Sequence, residues 1–440
     1  MKLSKFGRIS LALVASLVLA FGTQSCVYSY TEAYVFVTGS EYNQIASYKE
    51  DSDTGKLYLV PGNPHSSGGY NPIRAVLLNS GRYIYVLNQG KPTTDAAGNI
   101  TWSGGNISVF TIGGDGSLAF QLSYPSQGLG SVRLALSASS TYLYVLDQYQ
   151  PGSSVNVVTA SPTATASHPC LNPRNGMFYP AGDISVYSID NATGRLFLVL
   201  NQQQQNSQGT PLTYFPLGCG PIDFHMGSGY LYTAEGSDPT TGHHQVVYSY
   251  QANPDGQLIL VPGGSQPVTG ATNISVIGAS QSGNYIYVLD AGTNTIYTFT
   301  ASSANSGLLS AVAGGAVPNF AATTGMNALT TDSASQFLYI VNTQSSQLGQ
   351  PNALISAFYI TPNSGVLGPL NGQPFPTGSD PVCIFEDPSH QYVYTADAAS
   401  NTVVGSLIDP RSGILTNLRK GSTFPTVGTP TWCLYSSNTD

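Results

Sequence analysis

Short runs of alternating apolar and aromatic residues recur along the chain, each bounded by Gly, Ser, Asn or Asp. They are "AYVFVTG" (33–39), "RYIYVLN" (82–88), "TYLYVLD" (141–147), "GYLYTAE" (229–235), "NYIYVLD" (284–290), "QFLYIVN" (336–342) and "QYVYTAD" (391–397). Period-two alternation between turn-forming flanks is the signal of a β-strand. A second strand follows each run, as in "NISVFTI", "DISVYSI" and "NTIYTFT". Then come a turn and a short strand of Gly-x-Leu character, as in "TGKLYLV", "DGSLAFQ" and "SGILTNL". The Asp-Gly and Asn-rich turns between them suit hairpins.

An apolar strand precedes every run except the first: "NPIRAVLLN", "GSVRLALSA", "GPIDFHMG", "NISVIGASQ", "GMNALTTDS" and "DPVCIFEDP". A further one, "TPTWCLYSS" (429–437), comes last, with no run after it. The first unit thus lacks its opening strand and the C-terminus supplies one. Four strands per unit, a period of about 50 residues and a split unit predict an all-β chain. The expected architecture is a seven-bladed β-propeller with four antiparallel strands per blade, its ring closed by the C-terminal strand joining the N-terminal blade. A linear β-solenoid, the competing architecture, has no use for a split unit. Residues 26–440 are expected to form this single domain.

Composition agrees with short strands and uncharged turns. Only 8% of residues are charged, and there are 48 Gly and 28 Tyr. The formal charge is −8 and basic runs are absent, which excludes a nucleic-acid role. Residues 1–25 read as an export signal. Lys2, Lys5 and Arg8 precede the apolar stretch 9–22, which is too short to span a membrane. "TQSC" (23–26) resembles a lipobox and makes Cys26 a candidate lipid anchor; ordinary cleavage after Ser25 is the alternative. The expected location is the periplasm or the outer membrane and cell surface if the chain is lipidated, and secretion otherwise. Membrane contact is expected only through the anchor. The other cysteines are Cys170, Cys219, Cys383 and Cys433. Export permits disulfides. Cys170 and Cys219 fall in long loops at one seam between neighbouring blades. Cys383 and Cys433 fall on inner strands of adjacent blades, one residue out of register, so their side chains could point apart.

The pattern of "NPIRAVLLNSGRYIYVLNQG", "GDISVYSIDNATGRLFLV" and "DPVCIFEDPSHQYVYTAD" resembles the lactonase-type β-propellers, which include the propeller 6-phosphogluconolactonases and the Tyr-Val-Thr-Asn repeat surface proteins. The likeness covers nearly all of the chain after the leader. It implies a central pocket and, in those relatives, a histidine two places after the inner-strand proline in several blades. Here the matching positions hold Arg74, Arg133, Asp223, Val276, Ala328, Cys383 and Trp432. The one inner-strand histidine is His225.

Lactone hydrolysis needs an activated water and a stabilised oxyanion. Arg74 and Arg133 are the candidates for holding an anion, and Asp223, His225 or Glu235 for the base. The competing reading is that the two arginines pair with neighbouring acids and tie blades together. Asp147, Glu235, Asp290 and Asp397 end the second strands near one mouth and are candidate oxygen ligands for Ca²⁺; otherwise each caps loop backbone. The longest connections (88–105, 148–182, 201–219, 235–244 and 342–352) fall on the same face, where long loops are usually functional. Three functions are consistent with these features. The first is an exported protein that binds a glycan or peptide through this long-loop face with little or no catalysis. The second is a lactone hydrolase of the 6-phosphogluconolactonase type, and the third is self-association into a surface layer or filament.

Overall fold

The computed structural model describes residues 30–94, 99–151, 155–156, 181–237, 244–301, 307–320, 323–345 and 353–437. The leader, Cys26 and Cys170 lie outside them. Among the described residues the fold is all-β, without a helix, and no helix is long and apolar enough to cross a membrane.

The predicted strands form antiparallel four-strand units in chain order. The first unit contains Thr31–Gly39, Gln44–Asp51 and Leu57–Leu59. Pro430–Ser437, from the other end of the chain, pairs with Thr31–Gly39 from Ala33↔Ser437 to Gly39↔Pro430. The first strands of the second to seventh units are Pro72–Leu77, Leu129–Leu136, Phe215–Met226, Ile274–Ala279, Thr323–Thr331 and Pro381–Glu386. The third and fourth units are joined into one eight-stranded sheet, because Ala181–Asp190 also pairs with Phe215–Met226.

Strand chemistry follows position. The second strand of each unit is largely apolar up to a polar residue near its end, and every residue of Tyr83–Asn88 and of Tyr392–Asp397 is buried. It is covered on both faces by neighbouring sheets, so alternation gives way to a continuous apolar run. The aromatic residue that opens this strand rests on a turn glycine of the next unit. Tyr34 lies on Gly116, Tyr83 on Gly194, Tyr142 on Gly256, and Tyr392, in the seventh unit, on Gly55 of the first. At Gly194 an added Cβ would stand 2.6 Å from the Tyr83 ring. The Gly-x-Leu turn is therefore a receptor for the aromatic of the neighbouring unit.

Each first strand carries a register shift at one equivalent place, for example between Pro72 and Arg74, between Met326 and Ala328 and between Pro381 and Cys383. The extra residue is a β-bulge, which bends the strand and re-aims a side chain. The backbone enters the bulge through a positive φ, at Asn71 (57°), Asp380 (56°) and Thr429 (50°), and at Gly130, Gly220 and Gly325.

Neighbouring first strands are tied to one another by different chemistry. Thr431 Oγ1 donates to Pro72 O and Trp432 Nε1 to Ala75 O. Arg133 pairs with Asp223, Ser275 donates to Met326 O, and Asn327 donates to Pro381 O. Cys383 and Cys433 form a disulfide with a Cα–Cα distance of 5.9 Å. Their one-residue offset brings them together: side chains that face each other from adjacent sheets must leave opposite faces of their own strands, which requires opposite parity. Cys219 is also disulfide-bonded.

Candidate functional site

A cavity of about 460 Å³ opens where the first strands begin. Its lining includes the bulge residues Ile73, Asn327, Val382 and Thr431, together with Arg74 and Asp380. The bulges are what aim these side chains at the cavity. Sequence reasoning missed Asn327 and Asp380 because it followed the position just past the bulge. The available signal was the residue before the strand proline, where Asp380 stands in "DPVC".

Below the mouth, side chains from successive first strands form a relay. The Arg74 guanidinium lies 4.2 Å above the Trp432 ring, and that of Arg133 lies 5.6 Å from it. Both distances are within the range of cation–π attraction. Arg74 Nη1 donates to Ile73 O (3.0 Å) and Thr431 O (3.5 Å). Burial, with Arg133 nearby, lowers the Arg74 pKa to about 10, so the side chain stays cationic at neutral pH. Arg133 Nη1 stands 3.1 Å from Asp223 Oδ1, and Asp223 Oδ2 accepts from Ile277 N at 3.1 Å. The blade-tying role is therefore what Arg133 and Asp223 perform. Arg74 instead stacks on an indole at the cavity wall.

His225 sits two residues beyond Asp223, and burial followed by the Arg133 charge pushes its pKa down to about 4. It is a neutral imidazole near pH 7. Glu235 does not meet these groups. It is fully buried at the end of Tyr230–Ser237 and accepts from Thr233 Oγ1 at 2.8 Å. Asp380 is partly buried, and burial raises its pKa while a hydrogen bond from Asn327 opposes the shift.

The strand-end carboxylates are dispersed. Asp147 accepts from Gly128 N (3.1 Å) and Ser185 Oγ (3.3 Å), and also from Ser131 Oγ. Asp290 accepts from Thr272 N and Thr293 N, and Asp397 from Thr377, Thr395 and Thr402 hydroxyls. Asp147 and Asp290 thus accept from loop backbone, and Asp397 from hydroxyls alone. Among the described residues no group of three or more His, Cys, Asp or Glu side chains converges as a metal site. Asp183, which the sequence did not single out, faces Asp147 across the strand pair.

The all-β fold of repeated antiparallel four-strand units recurs in solved structures. A candidate 6-phosphogluconolactonase from Bacteroides uniformis superposes with a TM-score of 0.64 at 14% identity, over 92% of this chain and 100% of its own. Its fold is that of the lactonase-like β-propellers. The periplasmic gluconolactonase of Pseudomonas aeruginosa matches with a TM-score of 0.62 at 15% identity, over 92% of this chain and 99% of its own. A Lactobacillus plantarum protein matches with a TM-score of 0.64 at 15% identity, again over 92% and 99%. At such identities the likeness of this propeller to them concerns fold. No family model matches the chain, and no curated protein matches it.

Proposed function

We propose that the chain is an exported lactone hydrolase built on a seven-bladed propeller, with its reaction centre in the axial cavity. The ties between first strands and the Tyr-on-glycine contacts both return from the seventh unit to the first, which supports a closed ring. Export is supported by the Cys383–Cys433 disulfide and by the periplasmic location of one structural neighbour.

The observation that carries the function is a carboxyl and a cation lining one cavity, Asp380 and Arg74, in a lactonase-like propeller. In this reading Asp380 takes a proton from water as the water oxygen attacks the lactone carbonyl. Arg74 holds the oxyanion, and Asn327, whose amide N–H groups go to Pro381 O and Asp380, keeps the base in place. The acyl–oxygen bond of the ring then breaks, and the proton passes from Asp380 to the departing alkoxide, which leaves a hydroxy acid. Burial tunes Asp380 toward the working pH of a base. Stacking on Trp432 fixes the orientation of Arg74, and preorganised donors are worth more than mobile ones.

Hydrolysis of a panel of sugar-acid lactones by the purified protein tests this. Asp380→Asn should lower kcat by about 100-fold or more, and Arg74→Ala should lower kcat/KM. Absence of turnover, or turnover indifferent to Asp380→Asn, would overturn it. A second reading is binding of an anionic sugar without turnover. It is favoured by the occupation of Arg133 by Asp223, and calorimetric binding of an aldonate by a protein that hydrolyses no lactone would select it.

A further inference from the structure

The units offer an internal control on the outer edge of the fold. Each outermost strand carries a buried leucine as its first or second residue: Leu57, Leu118, Leu196, Leu258, Leu309, Leu367 and Leu415. The residues after this leucine differ between the two halves of the molecule. In the first unit Tyr58 and Leu59 are 50% and 55% exposed, and in the second unit Phe120 is 53% exposed, with Leu122 beside it. Phe197 and Leu260 continue the pattern in the third and fourth units. The fifth, sixth and seventh units carry Ser310 and Ala311, Gly368 and Pro369, and Thr416 and Asn417 in the same places. In the sixth unit the exposed aromatic at this edge is Tyr359, on the strand beside Gly368. Folding alone treats the outermost strands alike, so it does not explain why those of the first four units, and not the last three, expose large apolar side chains.

We propose that the outer edge of the first two units is a membrane-interface surface that lies against lipid headgroups. The chain leaves the described fold at this edge. Tyr30 is exposed, and its carbonyl accepts from Ser52 N (3.0 Å) in the turn that leads to Leu57–Leu59. Cys26, the candidate lipid-bearing residue, lies four residues before Tyr30, within about 14 Å of extended chain. An anchor at that distance holds the edge of the first unit against the bilayer. The side chains suit that place. Tyr30 and Tyr58 present amphipathic rings, and the Lys56 ammonium stands 5.0 Å over the Tyr58 ring, where it can meet phosphate. Leu59, Phe120 and Leu122 supply the apolar area. One acyl chain gives only marginal membrane binding, so a second apolar contact has a purpose. This inference is independent of what the axial cavity does.

The test uses residues 27–440, which lack the acylation site and contain every described strand, floated with vesicles of phosphatidylethanolamine and phosphatidylglycerol. The unlipidated chain should float with the vesicles. Combined Tyr58→Ser, Leu59→Ser and Phe120→Ser should lower its partition at least about tenfold. Thr416→Ser with Asn417→Ser on a polar edge should leave partition unchanged. All three side chains are exposed, so coincident thermal melts will show that the fold is retained. Failure of the parent chain to float, or equal flotation of the triple variant, would overturn the proposal. So would a concentration-dependent dimer in sedimentation that the triple variant abolishes, which would show that the edge faces a second copy instead.

Discussion

Two seams between neighbouring units solve the same problem with different chemistry. The seam between the seventh and first units packs Phe385, Tyr394 and Ala396 against Val35, Tyr48 and Cys433. The seam between the third and fourth packs Tyr144, Leu146 and Ile184 against Phe224, Leu231 and Tyr248. Their apolar interiors are of the same kind. At the axis the first is closed by the Cys383–Cys433 bond and the second by the Arg133–Asp223 ion pair. The backbone crosses both seams, from the third unit into the fourth and from Thr423–Pro425 of the seventh into Pro430–Ser437 of the first. Sheet hydrogen bonds set the seams apart. Ala181–Asp190 pairs with Phe215–Met226 across one, whereas among the described strands none of the seventh unit pairs with one of the first. The disulfide ties Pro430–Ser437 to the seventh unit where no such ladder does.

The largest expected effect is therefore the combined replacement Cys383→Ser and Cys433→Ser. The bridge spans a sequence separation of 50 residues. On the chain-entropy model its loss costs about 4 kcal/mol, readable as a drop in the denaturant midpoint without a change of native secondary structure. A midpoint within error of the parent would mean that apolar packing alone holds the seam. Breaking the ionic seam should cost less. Asp223→Ala leaves Arg133 without its partner. Because the Arg133 side chain is 19% exposed, water offsets part of the penalty, and we expect roughly 2 kcal/mol. Replacing both partners together, Arg133→Met with Asp223→Leu, should recover most of that loss. If the double variant is no better than Asp223→Ala, the pair contributes more than its charges.

A third comparison sets the contact between units against backbone strain alone. Gly194 has φ 68° and receives the Tyr83 ring, whereas Gly229 has φ 81° and nothing within 4 Å of an added Cβ. Gly229→Ala should cost about 1 kcal/mol for left-handed backbone. Gly194→Ala should cost about 1 kcal/mol more, because Tyr83 must also shift. Equal melting temperatures for the two variants would show that the ring moves freely and that the aromatic-on-glycine contact does not define the seam.

These seams also show what was legible in the sequence. The strands, their order and the split first unit could be read because period-two alternation and turn residues act locally. The disulfide positions were legible, but their geometry was not, since parity across two facing sheets is a tertiary property. Asn327 and Asp380 were hidden for a related reason: a bulge adds one residue, and the spacing rule then points to its neighbour. Arg133 and Asp223 were found, and a tie between units was set ahead of a role in the site, because a cation and an acid on different strands admit both readings. Asp183 was invisible, because its partner Asp147 lies across a long insertion.

The smallest effect at acid pH, and the sharpest contrast in its pH dependence, belongs to Glu50 at the seam of the two chain ends. Tyr394 Oη stands 2.6 Å from Gly55 O and 2.8 Å from Glu50 Oε1. A carbonyl only accepts, so the tyrosine proton goes to Gly55 and Glu50 must bring a proton of its own. Burial, with Asp387 nearby, agrees, raising the Glu50 pKa from 4.5 to about 9. An acid with a raised folded pKa contributes stability that is fully present below its unfolded value and is lost as pH rises through the folded one. Between the two values the loss amounts to about 1.4 kcal/mol per pH unit at most. Asp147, raised to about 6, and Asp397, raised to about 7, act in the same direction over a narrower window. The melting temperature should accordingly fall from about pH 5 to about pH 9. In Glu50→Gln an amide N–H takes the place of the carboxyl proton toward Tyr394 and cannot ionise. Its stability should match the parent within about 0.5 kcal/mol near pH 5 and exceed it near pH 9. Parallel pH profiles for parent and variant would show that Glu50 is not the neutral acid this hydrogen-bond geometry requires.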